Sequence, residues 1–247
     1  MMPLVEICVD DVAGALAAEQ AGADRIELCA ALSEGGITPS IGLIGKVLAQ
    51  IRHIGVQVLI RPRGGDFLVS PDECEVMQAD IAAIRALPRV PAVTLGFVLG
   101  ALTPDRKIDE PVMRRLIAAC GDTPVTFHKA FDFVQDFSGA LTLLADLGVR
   151  RVLTSGGKAS ALEGAAILDA LVRQAAGRIT IIAGGGVRAT NVRAILAATG
   201  VGEVHLRAMR SAPSEMVPHP LMTVFGGESR QVTSATDIAA FLKVLRS

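Results

Sequence analysis

Tryptophan and tyrosine are absent from this chain of 247 residues, and aromatic residues make up only 3% of it. The core must therefore be built from Leu, Ile, Val and Ala. Cysteine is also scarce. Four scattered thiols (Cys8, Cys29, Cys74 and Cys120) are too few for a disulfide scaffold and point to reduced cysteines in the cytoplasm. No apolar run approaches the roughly 20 residues that span a bilayer, so no membrane-spanning helix is expected. Met1-Met2-Pro3 does not start a basic, then apolar, export signal. Excess charge is missing as well. A formal net charge of −1 gives no electrostatic reason to expect nucleic acid as a partner.

What is present is a repeat. A short apolar strand followed by an Ala- and Leu-rich helical pattern recurs every 25–35 residues or so, the size of a βα unit. Strands are expected at Leu4–Val9, Arg25–Cys29, Val56–Arg61, Ala92–Leu99, Val125–His128, Arg151–Thr154, Ile179–Ala183 and Glu203–Leu206. Helices are expected at Val12–Ala21, Ile41–Arg52, Pro71–Ala86, Glu110–Cys120, Phe137–Leu147, Ala161–Ala175, Thr190–Ala198 and Ser234–Leu245. Ser40, Asp136 and Ser160 can cap helices, Pro71 suits a first helical position, and Gly22, Gly121, Gly148 and Gly177 fall just past helix ends. Eight such units with short links indicate a single (β/α)₈ TIM barrel over residues 1–247. An irregular segment, about 208–232, precedes the last helix. An open doubly wound sheet is the alternative, but no strand has an edge's charged or Pro-broken character.

In a barrel, functional residues gather at the C-terminal ends of strands and in the loops that follow. Strands one and two carry the same triplet, Glu6-Ile7-Cys8 and Glu27-Leu28-Cys29. Side chains alternate along a strand and neighbouring strands lie about 4.8 Å apart, so the two thiols can approach one another. They are either a soft Cu(I) site or inert buried thiols. Cys74 and Cys120 fall on helices as packing residues. After strand three, Arg61-Pro62-Arg63-Gly64-Gly65-Asp66-Phe67 offers donor forks for a carboxylate or phosphate. Arg61 and Arg63 either serve a ligand or pair with Glu27, Glu6 or Asp66.

His128 ends strand five, ahead of Lys129 and Asp132. It is either a general acid–base with Glu27 and Arg61 or a hydrogen-bonded core histidine, and His205 can share its cavity. The turns Thr154-Ser155-Gly156-Gly157-Lys158 and Ala183-Gly184-Gly185-Gly186-Val187 either aim N–H groups at an anion or simply turn the chain tightly. The residues thus allow an enzyme of unassigned reaction acting on a small anionic ligand, phosphorylated or not. In that reading Glu27, Arg61 and His128 are catalytic. Glu6, Arg63, Asp66, Asp132, Ser155, Gly156, Gly157, Gly185, Gly186 and His205 bind.

The chain also resembles the CutC family. The resemblance rests on Val5-Glu6-Ile7-Cys8-Val9-Asp10, Gly22–Cys29, Ser33–Ser40, Arg61–Phe67, Val125–Asp132, Val152–Gly157 and Ala183–Val187, in register from Leu4 to Ser211. It implies a (β/α)₈ barrel in the cytoplasm, a homo-oligomer (dimer or tetramer), a part in copper homeostasis, and Cu(I) binding through Cys8 and Cys29. The chain departs from the family pattern at Lys129, where Arg is usual. It departs again at His205-Leu206-Arg207-Ala208-Met209-Arg210, where His-x-Ser-Ala-Arg is usual.

Overall fold

The architecture follows from the alternating pattern and from where each helix can start. In the computed structural model, which describes residues 2–222, 227 and 229–246, eight strands close into a parallel barrel. They are β1 Leu4–Val9, β2 Arg25–Leu28, β3 Gly55–Leu59, β4 Leu95–Leu99, β5 Val125–Phe127, β6 Arg151–Thr154, β7 Thr180–Gly184 and β8 Glu203–Leu206. β8 pairs with β1, so Leu4 faces Glu203 and Glu6 faces His205. That closure excludes the open sheet. The helices are α1 Val12–Ala21, α2 Ile41–Gln50, α3 Pro71–Arg85, α4 Glu110–Cys120, α5 Phe137–Asp146, α6 Ala165–Ala175, α7 Val192–Thr199 and α8 Ala235–Arg246. No described helix is long and apolar enough to cross a membrane.

Local chemistry fixes the helix entries. Ser40, Asp136 and Asp11 each accept a backbone N–H from their own first turn, and Ser70 with Glu73 forms a complete capping box ahead of Pro71. Ser160 accepts from the N–H of Glu163, so it caps a turn that precedes α6, and α6 itself begins at Ala165. Several strands are shorter than expected. β3 stops at Leu59 and β5 at Phe127, which leaves Arg61 and His128 on the loops above the strands. The 208–232 segment contains an antiparallel hairpin, β9 Met209–Pro213 with β10 Ser229–Thr233, while its residues 223–226 and 228 lie outside the described ones.

The outward faces of the strands (Ile7, Ile26, Val56, Phe97, Phe127, Val152, Ile181, Val204) form one apolar core with the helices. The inward faces are different. Glu6, Arg25, Gln57, Thr126 and Glu203 are all buried. Arg25 lies between two carboxylates, with Nε 2.5 Å from Glu6 and a terminal nitrogen 2.5 Å from Glu203. Arg151 adds a second cation 3.4 Å from Glu203. Barrel interiors are usually filled by branched aliphatic side chains. Here an ion network occupies part of that space.

Removing one partner of a buried pair leaves an uncompensated charge and costs on the order of 3–5 kcal/mol. Arg25→Met should therefore lower the unfolding free energy by about that amount, read as a reduced denaturant midpoint by circular dichroism. A loss below about 1 kcal/mol would show that the layer is dispensable.

Candidate functional site

The thiols come together, but not in the way the repeated triplets suggest. In the β1–β2 register Glu6 stands opposite Arg25 and Cys8 opposite Glu27. The two Glu-x-Cys triplets are therefore offset by two residues. Cys29 lies just beyond β2, where its N–H donates to the Val9 carbonyl at 3.0 Å. Its side chain leans back, so the two Sγ atoms are 3.6 Å apart. Both thiols are free and buried, and they pack with Leu32, Leu59 and Val98. The hydrogen bond with Cys29, then burial, pushes the Cys8 thiol well above its ordinary value. Cys74 and Cys120 are buried on α3 and α4.

Beside Cys8 lies a charged group of three. His205 Nδ1 is 2.8 Å from Glu6 Oε1, and its Nε2 is 3.8 Å from Glu27. Candidate ligand atoms of Cys8, Glu27 and His205 all fall within 4.8 Å of one another. Burial disfavours a charged imidazole, but Glu27, Cys8 and Glu6 outweigh it and raise His205 well above its usual range. For Glu6, burial pushes upward while His205 and Arg25 pull harder, bringing it down to about 2. Glu27 is raised, chiefly by burial. His205 is thus an imidazolium clamped between two carboxylates.

The opposite wall is built from loops. Thr38 exchanges hydrogen bonds with the backbone of Arg61 at 2.9 and 3.1 Å. The guanidinium donates to three backbone carbonyls, those of Glu34 (3.0 Å), Gly36 (2.8 Å) and Gly65 (2.7 Å). None of the expected carboxylates pairs with it. Its Nε is buried without a partner. The Phe67 ring lies 4.9 Å from the Arg61 Cζ, and the His128 ring lies 5.1 Å from Phe67. Five of the eight phenylalanines (Phe67, Phe127, Phe131, Phe133 and Phe137) gather in this aromatic group. A chain so poor in aromatics has concentrated them beside its site.

Nδ1 of His128 accepts the Ala130 N–H at 3.2 Å, which makes its other nitrogen, Nε2, the N–H donor of the neutral ring. That Nε2 is also buried and unpartnered. Burial and then the Arg61 charge bring His128 down to about 3. A buried donor without an acceptor costs about 1–3 kcal/mol, so each of these two nitrogens is a standing cost to the fold.

The glycine turns depart from expectation. Asp132 fills the strand-six turn. Its Oδ1 accepts from the N–H groups of Ser155 (2.9 Å) and Gly157 (2.9 Å) and from the Thr154 hydroxyl (2.5 Å), and Lys129 lies 3.0 Å from Oδ2. Gly156 donates to Thr154 Oγ1. The anion held by Ser155 and Gly157 is the protein's own carboxylate. Both turns need left-handed backbone, with φ of 70° and 67° at Gly156 and Gly157 and 101° and 66° at Gly185 and Gly186. An added Cβ at Gly185 would meet Ser155 at 3.1 Å, so the strand-seven turn packs directly on the strand-six turn. Arg63 and Asp66 pair with each other at 2.9 Å on the surface, Arg63 also reaching Glu73 at 2.6 Å, and neither enters the mouth.

The cavity at the barrel mouth measures about 290 Å³, and its walls include Cys8, Glu27, Arg61, His128, Lys129 and His205. The expected residues Glu6 and Cys29 lie behind that wall as partners of His205 and Cys8. Sequence reasoning left Glu34, Gly35, Leu59, Phe67, Phe133, Leu153 and Arg207 out of the site, although all of them line it. Arg207 follows β8 directly and belongs by the strand-end rule to the polar rim, although it is not among the binding residues expected from the sequence. Glu34 and Gly35 reach the mouth only because their loop folds back onto Arg61.

A closed (β/α)₈ barrel with thiols, carboxylates and cations converging at its C-terminal mouth defines the class: a TIM-barrel protein with a small polar site in the usual place for that fold. Within that class the chain belongs to the CutC family, whose sequence profile matches residues 3–210. It is 49% identical to the human copper homeostasis protein cutC homolog over 86% of this chain and 76% of that one. A family protein CutC of Xanthomonas campestris pv. campestris is 43% identical over 98% and 97%. The solved structure of the copper homeostasis protein CutC from Streptococcus agalactiae superposes with a TM-score of 0.76 at 35% identity, covering 83% of this chain and 98% of that one.

The depressed His128 gives a pH signature. The unfolded chain takes up that proton near the ordinary value of 6.5, the folded chain only near 3. The stability of the neutral ring is therefore fully present above pH 6.5 and is lost as pH falls towards 3, by up to about 1.4 kcal/mol per pH unit. His128→Gln should flatten the decline in unfolding free energy between pH 6.5 and 4.5 in denaturant titrations. An identical slope in wild type and variant would contradict this.

Proposed function

We propose that this protein binds Cu(I) through Cys8 and Cys29 at the barrel mouth, as cargo in copper homeostasis. The observation that carries the reading is the 3.6 Å separation of two free, buried sulfurs from adjacent strands. Thiolates are soft ligands suited to Cu(I). A chain of CutC type that is 49% identical to a protein named for copper homeostasis supports the same reading. Four free thiols also fit a reducing compartment, which favours the cytoplasm.

The fit has a definite chemical form. His205 is held protonated by Glu6 and Glu27, so it is not a ready ligand. The sulfurs are the donors. Both thiols must lose their protons on binding, so uptake releases acid and weakens as pH falls. A cuprous dithiolate carries one net negative charge, which the neighbouring imidazolium offsets. Glu6 holds His205 in place at 2.8 Å and so keeps that positive charge beside the sulfurs.

Anaerobic Cu(I) titration against a chromophoric chelator tests the reading. Cys8→Ser with Cys29→Ser should weaken binding by more than the roughly 100-fold upper range of an outer-shell change. Cys74→Ala with Cys120→Ala should leave it unaltered. Unchanged affinity in the Cys8, Cys29 double variant would overturn the assignment.

A further inference from the structure

We propose that the mouth cavity also binds a small hydroxycarboxylate, with the Nε–H of Arg61 and the Nε2–H of His128 as the donors for its carboxylate. Both side chains line the same 290 Å³ space. They are 8% and 5% exposed, and each presents a nitrogen that no other group satisfies. Buried polar atoms are rarely left unmatched, and two on residues that line one cavity point to an absent acceptor.

Its charge follows from the surroundings. Arg61 lies within ion-pair distance of no carboxylate among the described residues; its other nitrogens donate to neutral backbone carbonyls of Glu34, Gly36 and Gly65. A buried cation whose hydrogen bonds all go to neutral carbonyls favours an anion. Lys129 and Arg207 add positive charge to the lining, while Glu34 supplies the negative charge near Arg61.

The kind of anion follows from what is already filled. In the strand-six glycine turn, a candidate anion cradle by its backbone N–H groups, those of Ser155 and Gly157 are taken by Asp132 and that of Gly156 by Thr154 Oγ1. The two unpartnered donors of the cavity lining, Arg61 Nε and His128 Nε2, are single N–H groups, a number that matches the two oxygens of a carboxylate. The remainder of the ligand is constrained by the rest of the lining. Glu27 lies there as an acceptor, so a hydroxyl is the complementary group, and Leu59, Phe67, Phe133 and Leu153 provide apolar sides. A cavity of this volume falls at the lower limit of the roughly 300–1,000 Å³ of ligand pockets, which restricts the ligand to a small metabolite.

The test uses the whole protein, metal-free in the presence of a Cu(I) chelator, so that its outcome is independent of copper binding. With ¹⁵N-labelled histidine, the His128 Nε2–H resonance is followed while glycolate, lactate, glycerate, gluconate, acetate or inorganic phosphate is added. We expect at least one hydroxycarboxylate to shift that resonance saturably, more tightly than acetate does. Arg61→Lys, which keeps the charge but loses the fork, should weaken that ligand at least tenfold while the resonance still reports binding. Because the wild-type titration stands alone, a misfolded variant does not rescue the idea. Saturation by phosphate alone, no saturable shift from any of the acids, or equal affinity in folded Arg61→Lys would each overturn it.

Discussion

The structure depends on an ionic layer inside the barrel. Glu6, Arg25, Glu203 and Arg151 are placed on β1, β2, β8 and β6, and Arg25 bridges two carboxylates at 2.5 Å. Such a layer is tolerable only if each charge has its partner in place. Pairing therefore fixes the strands' relative heights more tightly than aliphatic packing, which tolerates volume-conserving exchange. Its upper surface is chemically active because Glu6 has a second oxygen. One binds Arg25 below and the other binds His205 above. The imidazolium, Glu27 and Cys8 inherit their positions from that divided carboxylate.

The rim is organised by two further internal ions, each linking neighbouring loops. Arg61 ties the loop after β3 to the loop after β2 through the carbonyls of Glu34 and Gly36. Asp132 ties the loop after β5 to the glycine turn after β6. In both cases a full charge is matched with backbone dipoles. The two differ in completeness. Asp132 is satisfied by four donors and a lysine, whereas Arg61 retains a bare Nε. One ion is structural, and the other is left with capacity.

Much of the barrel was legible because βα alternation, cap residues and apolar strand runs are local signals. The rim was legible too, since polar residues end the strands. What the sequence could not show was level. A period of two tells which face a residue occupies, not which neighbour stands beside it, so the parallel triplets Glu6–Cys8 and Glu27–Cys29 suggested equal heights when the shear of the barrel offsets them. Nor could composition reveal that Asp132 would occupy the strand-six turn, or that Arg63 would turn outward to Glu73. Those are choices among competing partners at similar distance along the chain. Arg25 is the reverse case: charge in an otherwise apolar strand requires buried partners, and Glu6 and Glu203 are those partners.

The two walls of the mouth differ in what they reward. On the β1–β2 side, neutral thiols sit among apolar side chains, next to an imidazolium already matched by two carboxylates. Proton loss there creates negative charge, which only a bound cation makes affordable in a buried setting. On the side of Arg61 and His128, donors outnumber acceptors, and a bound anion lowers the energy of groups that folding leaves unsatisfied. Burial contributes to both preferences. The hydrogen bond with Cys29 and then burial hold the Cys8 thiol up, and burial also keeps His128 neutral, so that its Nε2 remains a hydrogen-bond donor without adding a second cation beside Arg61. A single cavity can thus favour a soft cation at one wall and a carboxylate at the other without any change in the barrel that supports them.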